Sequence, residues 1–103
     1  MSVTRTVARY AVKAGMEEAN AELIRAVYEE LGVRRPTGFS YATFRLEDGR
    51  TFVHVAEHEG PVESPLRSLL AFSEFLSGLD GRCEWGPVVT IAELVGRFGN
   101  AHR

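Results

Sequence analysis

Cysteine is almost absent from this chain: Cys83 stands alone among 103 residues. One thiol cannot form an internal disulfide, so this is not a disulfide-stapled scaffold, and a reduced, cytoplasmic setting is the default expectation. Charge of either sign is also in short supply, with a formal net charge of −2 and no basic run longer than Arg34-Arg35. Polyanions are held by dense positive charge, so a nucleic-acid partner is not expected. Long apolar runs are missing too, because Arg5, Arg9 and Lys13 interrupt the N-terminal segment. A secretory leader needs an unbroken apolar stretch and a membrane helix needs about 18 such residues, so neither leader nor membrane partner is expected. Phosphate loops of the GxGxxG or GxxxxGK[ST] kind and the GxSxG serine elbow do not occur.

What remains is an ordinary globular composition, 45% apolar and 25% charged, on a length that supports one modest core. No linker, low-complexity tract or short repeat divides it, so residues 1–103 are expected to form a single domain with a frayed tail at 100–103. "TRTVARYAVKAG" is β-branched and aromatic, predicting a strand from Thr4 to Val12 that stops at Gly15. "MEEANAELIRAVYEELG" places Met16, Ala19, Leu23, Val27 and Leu31 at helical spacing, with Ile24 and Tyr28 widening the stripe and Asn20 the one polar residue on that edge. Gly32 suits the position just past that helix.

Next come two strand-like runs around Asp48-Gly49, a dipeptide suited to a tight hairpin turn. "SPLRSLLAFSEFLSGLDG" predicts a second helix with Ser64 as N-cap, Pro65 at its first position and Gly78 and Gly81 near its end. A turn-rich "DGRCEWGP" leads to a last strand in "VVTIAELVGRF". The order is β-α-β-β-α-β, an α+β ferredoxin-like arrangement with a four-stranded antiparallel sheet and both helices on one face. Taking Val53, Val55, Ala42 and Phe44 as helix-facing, alternation sends Phe39, Tyr41, Phe52, His54 and Ala56 to the open face. An apolar open face needs covering, which predicts a homodimer packed sheet to sheet.

That order, with "RYAVKAG" entering the first helix, "LEDGRTFVHVAEH" as the hairpin and the Pro-Leu…Phe…Phe helix of Pro65 to Phe75, resembles the dimeric α+β barrel superfamily. Within it, the chain is similar to small proteins of the antibiotic-biosynthesis-monooxygenase type. The resemblance implies a barrel closed between two protomers and a small-molecule pocket. It implies activities such as oxidation of aromatic polyketide-like substrates without metal or flavin, haem degradation, or action on small quinones. Haem-degrading relatives use a histidine on the second helix, and Leu66 to Leu79 contains none, so haem chemistry is disfavoured.

His54 and His58 share one face of their strand but lie about 13 Å apart, too far to hold one metal through bonds of about 2 Å. Neither metal nor organic cofactor is expected. His54 has two readings: a general base with a pKa near operating pH, or a half-buried histidine satisfied by a cross-strand or cross-dimer hydrogen bond. His58, between Glu57 and Glu59, is expected at the solvated strand end, and His102 in the tail. Tyr41, Arg9, Trp85 and Phe52 are candidate substrate contacts around His54. Arg9 and Arg45 also have a structural reading, pairing with Glu57 or Glu93. Cys83 reads as a small buried or half-buried thiol. The expected function is a small-molecule-binding homodimer, either a cofactor-independent monooxygenase-like enzyme acting on a small aromatic or carbonyl compound, or a non-catalytic binding or regulatory module.

Overall fold

Strand alternation and one pair of crossovers place every element. The computed structural model describes residues 2–60 and 64–99, so His102 and the expected tail lie outside the described residues. Four strands, β1 (Val3–Val12), β2 (Phe39–Arg45), β3 (Thr51–Glu59) and β4 (Cys83–Ile91), form one antiparallel sheet in the order β2-β3-β1-β4. Helix α1 (Glu17–Arg34) joins β1 to β2, and α2 (Leu70–Ser77) with a short α3 (Leu79–Arg82) joins β3 to β4. This is the ferredoxin-like α+β fold. No helix among the described residues is long and apolar enough to cross a membrane.

Helix α1 begins with Glu17 and Glu18 in its first turn, where the helix dipole favours them. It does not end at Gly32. The helix continues through Gly32 to Arg34, and Arg35 takes the left-handed conformation (φ 49°) that closes it. Pro36 is the cause, since the residue before a proline is pushed out of right-handed helix geometry.

The second helix also departs from the uninterrupted form expected. Ser64 does cap it, its Oγ accepting from Leu66 N at 3.2 Å, but only for a 3₁₀ turn over Pro65–Ser68. Leu69 is then extended and 3% exposed, driven into the core between that turn and α2. Helix α2 lacks a cap of its own side chains. Glu30 of α1 supplies one, accepting from Ala71 N at 2.8 Å and Leu70 N at 3.3 Å. A carboxylate at a helix N-terminus satisfies orphan amides and the dipole together, and here it also ties α1 to α2.

In the hairpin only Gly49 has positive φ, at 78°. Asp48 does not, so the turn is not the two-residue kind. The Asp48 carboxylate accepts from Thr51 Oγ1 at 2.6 Å, Thr51 N at 2.8 Å and Arg50 N at 2.9 Å, and these donors lower its pKa to about 2.

Strand β4 starts earlier than the sequence suggests, at Cys83, and ends at Ile91. Trp85 is therefore a strand residue, not a loop residue, and pairs with Ala11. Pro87 is tolerated because β4 is an edge strand, and the register shifts between Arg9 and Val12 absorb the irregularity.

The two faces of the sheet are the reverse of those expected. Phe52, His54 and Ala56 of β3 are 2%, 6% and 8% exposed and pack under the helices with Tyr10 and Val12 of β1. Register makes this obligatory for the whole sheet: Tyr10 stands opposite Phe52, and Tyr41 opposite Ala56. Val53, Val55, Ala42 and Phe44 therefore belong to the open face, with Val7 and Val88. Alternation separates the two residue sets but does not say which set is covered. The larger aromatic set fills the space beneath the helices, whereas β-branched valines suit the flat side.

Gly86 marks where β4 comes closest to β1. A Cβ added there would lie 2.9 Å from Arg9 O and 2.9 Å from Tyr10 Cβ, and its φ is 83°. Gly86→Ala should destabilise the protein by about 2–4 kcal/mol in urea unfolding, combining the left-handed penalty with overpacking. A loss under about 0.5 kcal/mol would show that the strand can move aside freely.

Candidate functional site

The helix-facing side of β3 brings polar groups into the centre of the core. His54 sits among Tyr10, Tyr41 and Phe75, with ring centroids 5.4, 5.9 and 5.5 Å away. Both of its ring nitrogens are bonded. Nε2 lies 2.8 Å from the Tyr10 hydroxyl, and Nδ1 lies 2.7 Å from the Tyr41 hydroxyl and 3.2 Å from Thr43 Oγ1. Thr43 shares a further hydrogen bond of 2.9 Å with Tyr28.

On the other side, Asn20 Nδ2 donates to the Tyr10 hydroxyl at 2.9 Å, and Arg82 Nε donates to Asn20 Oδ1 at 3.0 Å. Arg82 is 6% exposed, donates to Phe75 O at 2.8 Å, and holds its guanidinium 5.3 Å over the Phe75 ring. A buried cation therefore connects through an amide and a phenol to a buried imidazole. Each of these groups was drawn from a different element: α3, α1, β1 and β3.

A cavity of about 300 Å³ opens against this chain. Its polar floor is made by Tyr41, His54 and Tyr10. Its walls are apolar, chiefly Leu66, Phe72, Phe75, Leu76, Leu79 and Val89. Thr6, Ser64, Arg67 and His58 also line it. His58 is not at a solvated strand end as expected; it is half-buried, and its Nδ1 is buried with no hydrogen-bond partner among the described residues. The cause is the face reversal, which puts His58 on the helix side with His54.

Of the candidate residues, the structure brings His54 and Tyr41 together at the cavity. Phe52 lies beside them, stacked on Tyr10 at 5.7 Å with the Arg45 guanidinium 5.3 Å over its ring, but it does not line the cavity. Arg9 is exposed and faces the other way, its register partners being Val53 and Val88 of the open face. Trp85, 42% exposed, does not line the cavity either. The arginine pairings also differ from those expected. Arg5 and Arg97 take Glu57 at 2.6 and 3.5 Å, while Arg45 takes Glu18 at 3.2 Å. Among the described residues, no three histidine, cysteine, aspartate or glutamate side chains gather as a metal site would require.

Sequence reasoning missed Tyr10, Asn20, Thr43 and Arg82 as parts of this assembly. The available signal was Asn20, a polar side chain on an apolar stripe. It is fully buried, and a buried amide needs partners.

No family model matches the chain, and no curated protein matches it. Solved structures do. Rv0793 from Mycobacterium tuberculosis superposes with a TM-score of 0.75 at 17% identity, over 95% of this chain and 100% of that one. A structure named "Putative antibiotic biosynthesis monooxygenase" from Nitrosomonas europaea gives 0.74 at 16% identity over 94% of each chain. SnoaB, a cofactor-independent oxygenase from Streptomyces nogalater, gives 0.67 at 13% identity, over 97% of this chain and 100% of that one. The chain thus has the fold of antibiotic-biosynthesis-monooxygenase-like structures. At these identities the likeness is one of fold.

Burial alone holds the His54 pKa down, from 6.5 to about 4. Burial likewise pushes the Tyr10 phenol up to about 12, against the opposing pull of the Asn20 hydrogen bond, and raises that of Tyr41 further. The floor is therefore neutral around pH 7. As pH falls below about 6.5, the unfolded chain takes up a proton that folded His54 refuses until about pH 4. Stability should accordingly fall by about 2 kcal/mol between about pH 7 and pH 5, and His54→Gln should lose that slope in denaturant titrations at each pH. An unchanged slope in His54→Gln would mean that His54 is not what titrates.

Proposed function

We propose that this chain is a small-molecule-binding homodimer that acts as a cofactor-independent, monooxygenase-like enzyme on a small aromatic or carbonyl compound. The observation that carries this is the cavity itself: about 300 Å³, with chiefly apolar walls and a few polar groups, the Tyr41–His54 floor foremost among them. That volume is at the small end of ligand pockets, suited to one or two fused rings, and a few polar groups on one side would orient them. The fold it shares with SnoaB, a cofactor-independent oxygenase, supports the choice of reaction class.

Such a reaction balances without a cofactor. A hydroxyarene and O₂ give a quinone and water: the ring C–H and phenolic O–H supply the two hydrogens, one oxygen atom becomes the new carbonyl, and the substrate supplies the electrons. The floor would hold the substrate oxygen and stabilise charge building on it.

A specific observation favours the non-catalytic module as the alternative. Both ring nitrogens of His54 are occupied by protein hydroxyls, so the imidazole presents no free lone pair as a direct base. Naphthols and bicyclic ketones should raise the Tm of the wild type, with affinity about tenfold weaker in His54→Ala. Equal binding to both proteins would sink the role of His54. Oxygen uptake on adding a bound naphthol supports the enzyme, whereas binding with no oxygen uptake supports the module.

Dimerisation would cover the open face. Phe44 and Val88 are 54% and 42% exposed there, beside Val7, Val53 and Val55. Val95 and Phe98, each 94% exposed, extend the uncovered apolar surface beyond β4. Light scattering at micromolar concentration should report a dimer, and Val55→Arg, charging the middle of that face, should report a monomer. A monomeric wild type would overturn this assembly.

A further inference from the structure

We infer that Arg82, through Asn20 and Tyr10, fixes His54 as its Nδ1–H tautomer and so turns the Tyr41 hydroxyl proton into the cavity, selecting ligands that present a hydrogen-bond acceptor such as a carbonyl or phenolate oxygen. This deepens the binding function proposed for the same cavity and rests on it.

The chain of reasoning starts at a group with no choice. A guanidinium only donates. Its Nε is 3.0 Å from the Asn20 side chain, so the oxygen of that amide must face Arg82. The Asn20 NH₂ then faces Tyr10, 2.9 Å from its hydroxyl, and an amide nitrogen can only donate. Tyr10 O is thereby an acceptor towards Asn20 and has one proton of its own. Among the described residues its only other partner is His54 Nε2, at 2.8 Å. Tyr10 is 1% exposed, so directing that proton elsewhere would leave a buried O–H unpaired. Nε2 must accept.

A neutral imidazole with an accepting Nε2 carries its proton on Nδ1. Nδ1–H then donates to Tyr41 O at 2.7 Å, with Thr43 Oγ1 at 3.2 Å as a second acceptor. The Thr43–Tyr28 pair can be satisfied with either tautomer, since each hydroxyl can donate or accept, so it does not set the direction. Only the Arg82 end does. Tyr41 lines the cavity, and its other hydrogen-bond partner among the described residues is Thr43. With Thr43 accepting from Tyr28 and donating to Tyr41 O, the Tyr41 lone pairs face protein donors and its proton is the group left for a ligand. Arg82 and Asn20 touch no ligand under this arrangement; they are positioning residues.

The direction can be reversed with one near-isosteric change. In Asn20→Asp the carboxylate accepts from Arg82 and also from the Tyr10 O–H. Tyr10 O must then accept from His54 Nε2–H, Nδ1 accepts from Tyr41, and the cavity meets a Tyr41 lone pair in place of a proton.

Two measurements decide the matter. Long-range proton–nitrogen NMR of ¹⁵N-histidine-labelled protein at neutral pH distinguishes the protonated ring nitrogen from the bare one. His58→Gln and His102→Gln identify the signals of the other two histidines. The wild type should show His54 with the proton on Nδ1, and Asn20→Asp should show it on Nε2. A wild-type proton on Nε2 overturns the inference, whether or not the variant folds, as does a folded Asn20→Asp that keeps the proton on Nδ1.

The second measurement compares 1-tetralone, which only accepts, with indole, which only donates. The wild type should favour the ketone, and the ketone-to-indole affinity ratio should fall about tenfold in Asn20→Asp, the size of one net hydrogen bond. An unchanged ratio overturns the selection of acceptors. If neither probe binds, the ligand-binding function fails, and the tautomer stands or falls on the spectrum alone.

Discussion

Everything distinctive about this molecule depends on burying a cation. Arg82 sits at the end of the shortest helix, inside the core, held by an amide, a backbone carbonyl and an aromatic face. An uncompensated buried charge is among the costliest features a core can hold, so its partners cannot drift. Asn20 of α1 is fixed by Arg82, Tyr10 of β1 by Asn20, and His54 of β3 by Tyr10. Four elements in the two layers of the fold are thus fastened along one line. A purely apolar core of similar size would resist unfolding equally well but would leave the orientation of the central imidazole open.

The cavity is the complement of that line. Its apolar wall comes from the segment between β3 and β4, which is broken at Leu69 and again at Gly78. An unbroken helix would run straight along the sheet and present one stripe. The broken one turns Leu66, Phe72, Phe75 and Leu79 toward the same space from different pieces of backbone. Glu30 makes the break tolerable by supplying α2 with the carboxylate cap that its own sequence lacks. Because that carboxylate belongs to α1, the cap also sets how closely the start of α2 approaches α1.

How much of this was legible in the sequence differs by scale. The β-α-β-β-α-β order was, because period-two and period-3.6 patterns are local and the Asp48-Gly49 turn and Ser64-Pro65 start are short-range signals. The covered face of the sheet was not. Alternation divides β3 into Phe52, His54, Ala56 and Thr51, Val53, Val55, and both sets contain large apolar side chains. Choosing between them needs the register with β1, where Tyr10 meets Phe52, and that register is set by contacts about forty residues apart in sequence. His54 and Tyr41 kept their place as candidates because they lie on the same face, whichever face that is. Arg9 left the cavity for the same reason, sitting one residue out of phase with Tyr10. Arg82 carried no local signal, since nothing in "LDGR" says that its guanidinium turns inward.

The face reversal also changes what a dimer would do for the cavity. Had His54 pointed to the open face, a partner would have been needed to enclose the candidate site, and ligand binding would depend on assembly. With His54 under the helices, the cavity is lined from a single chain, and a partner on the open face would instead cover Val7, Val53, Val55 and Phe44. The two sides are separated by a single layer of backbone. Tyr10 and His54 belong to β1 and β3, whose alternate residues Arg9 and Val53 face the opposite side. The 2.8 Å hydrogen bond between Tyr10 and His54 leaves little room for the two strands to part on the covered side before it weakens.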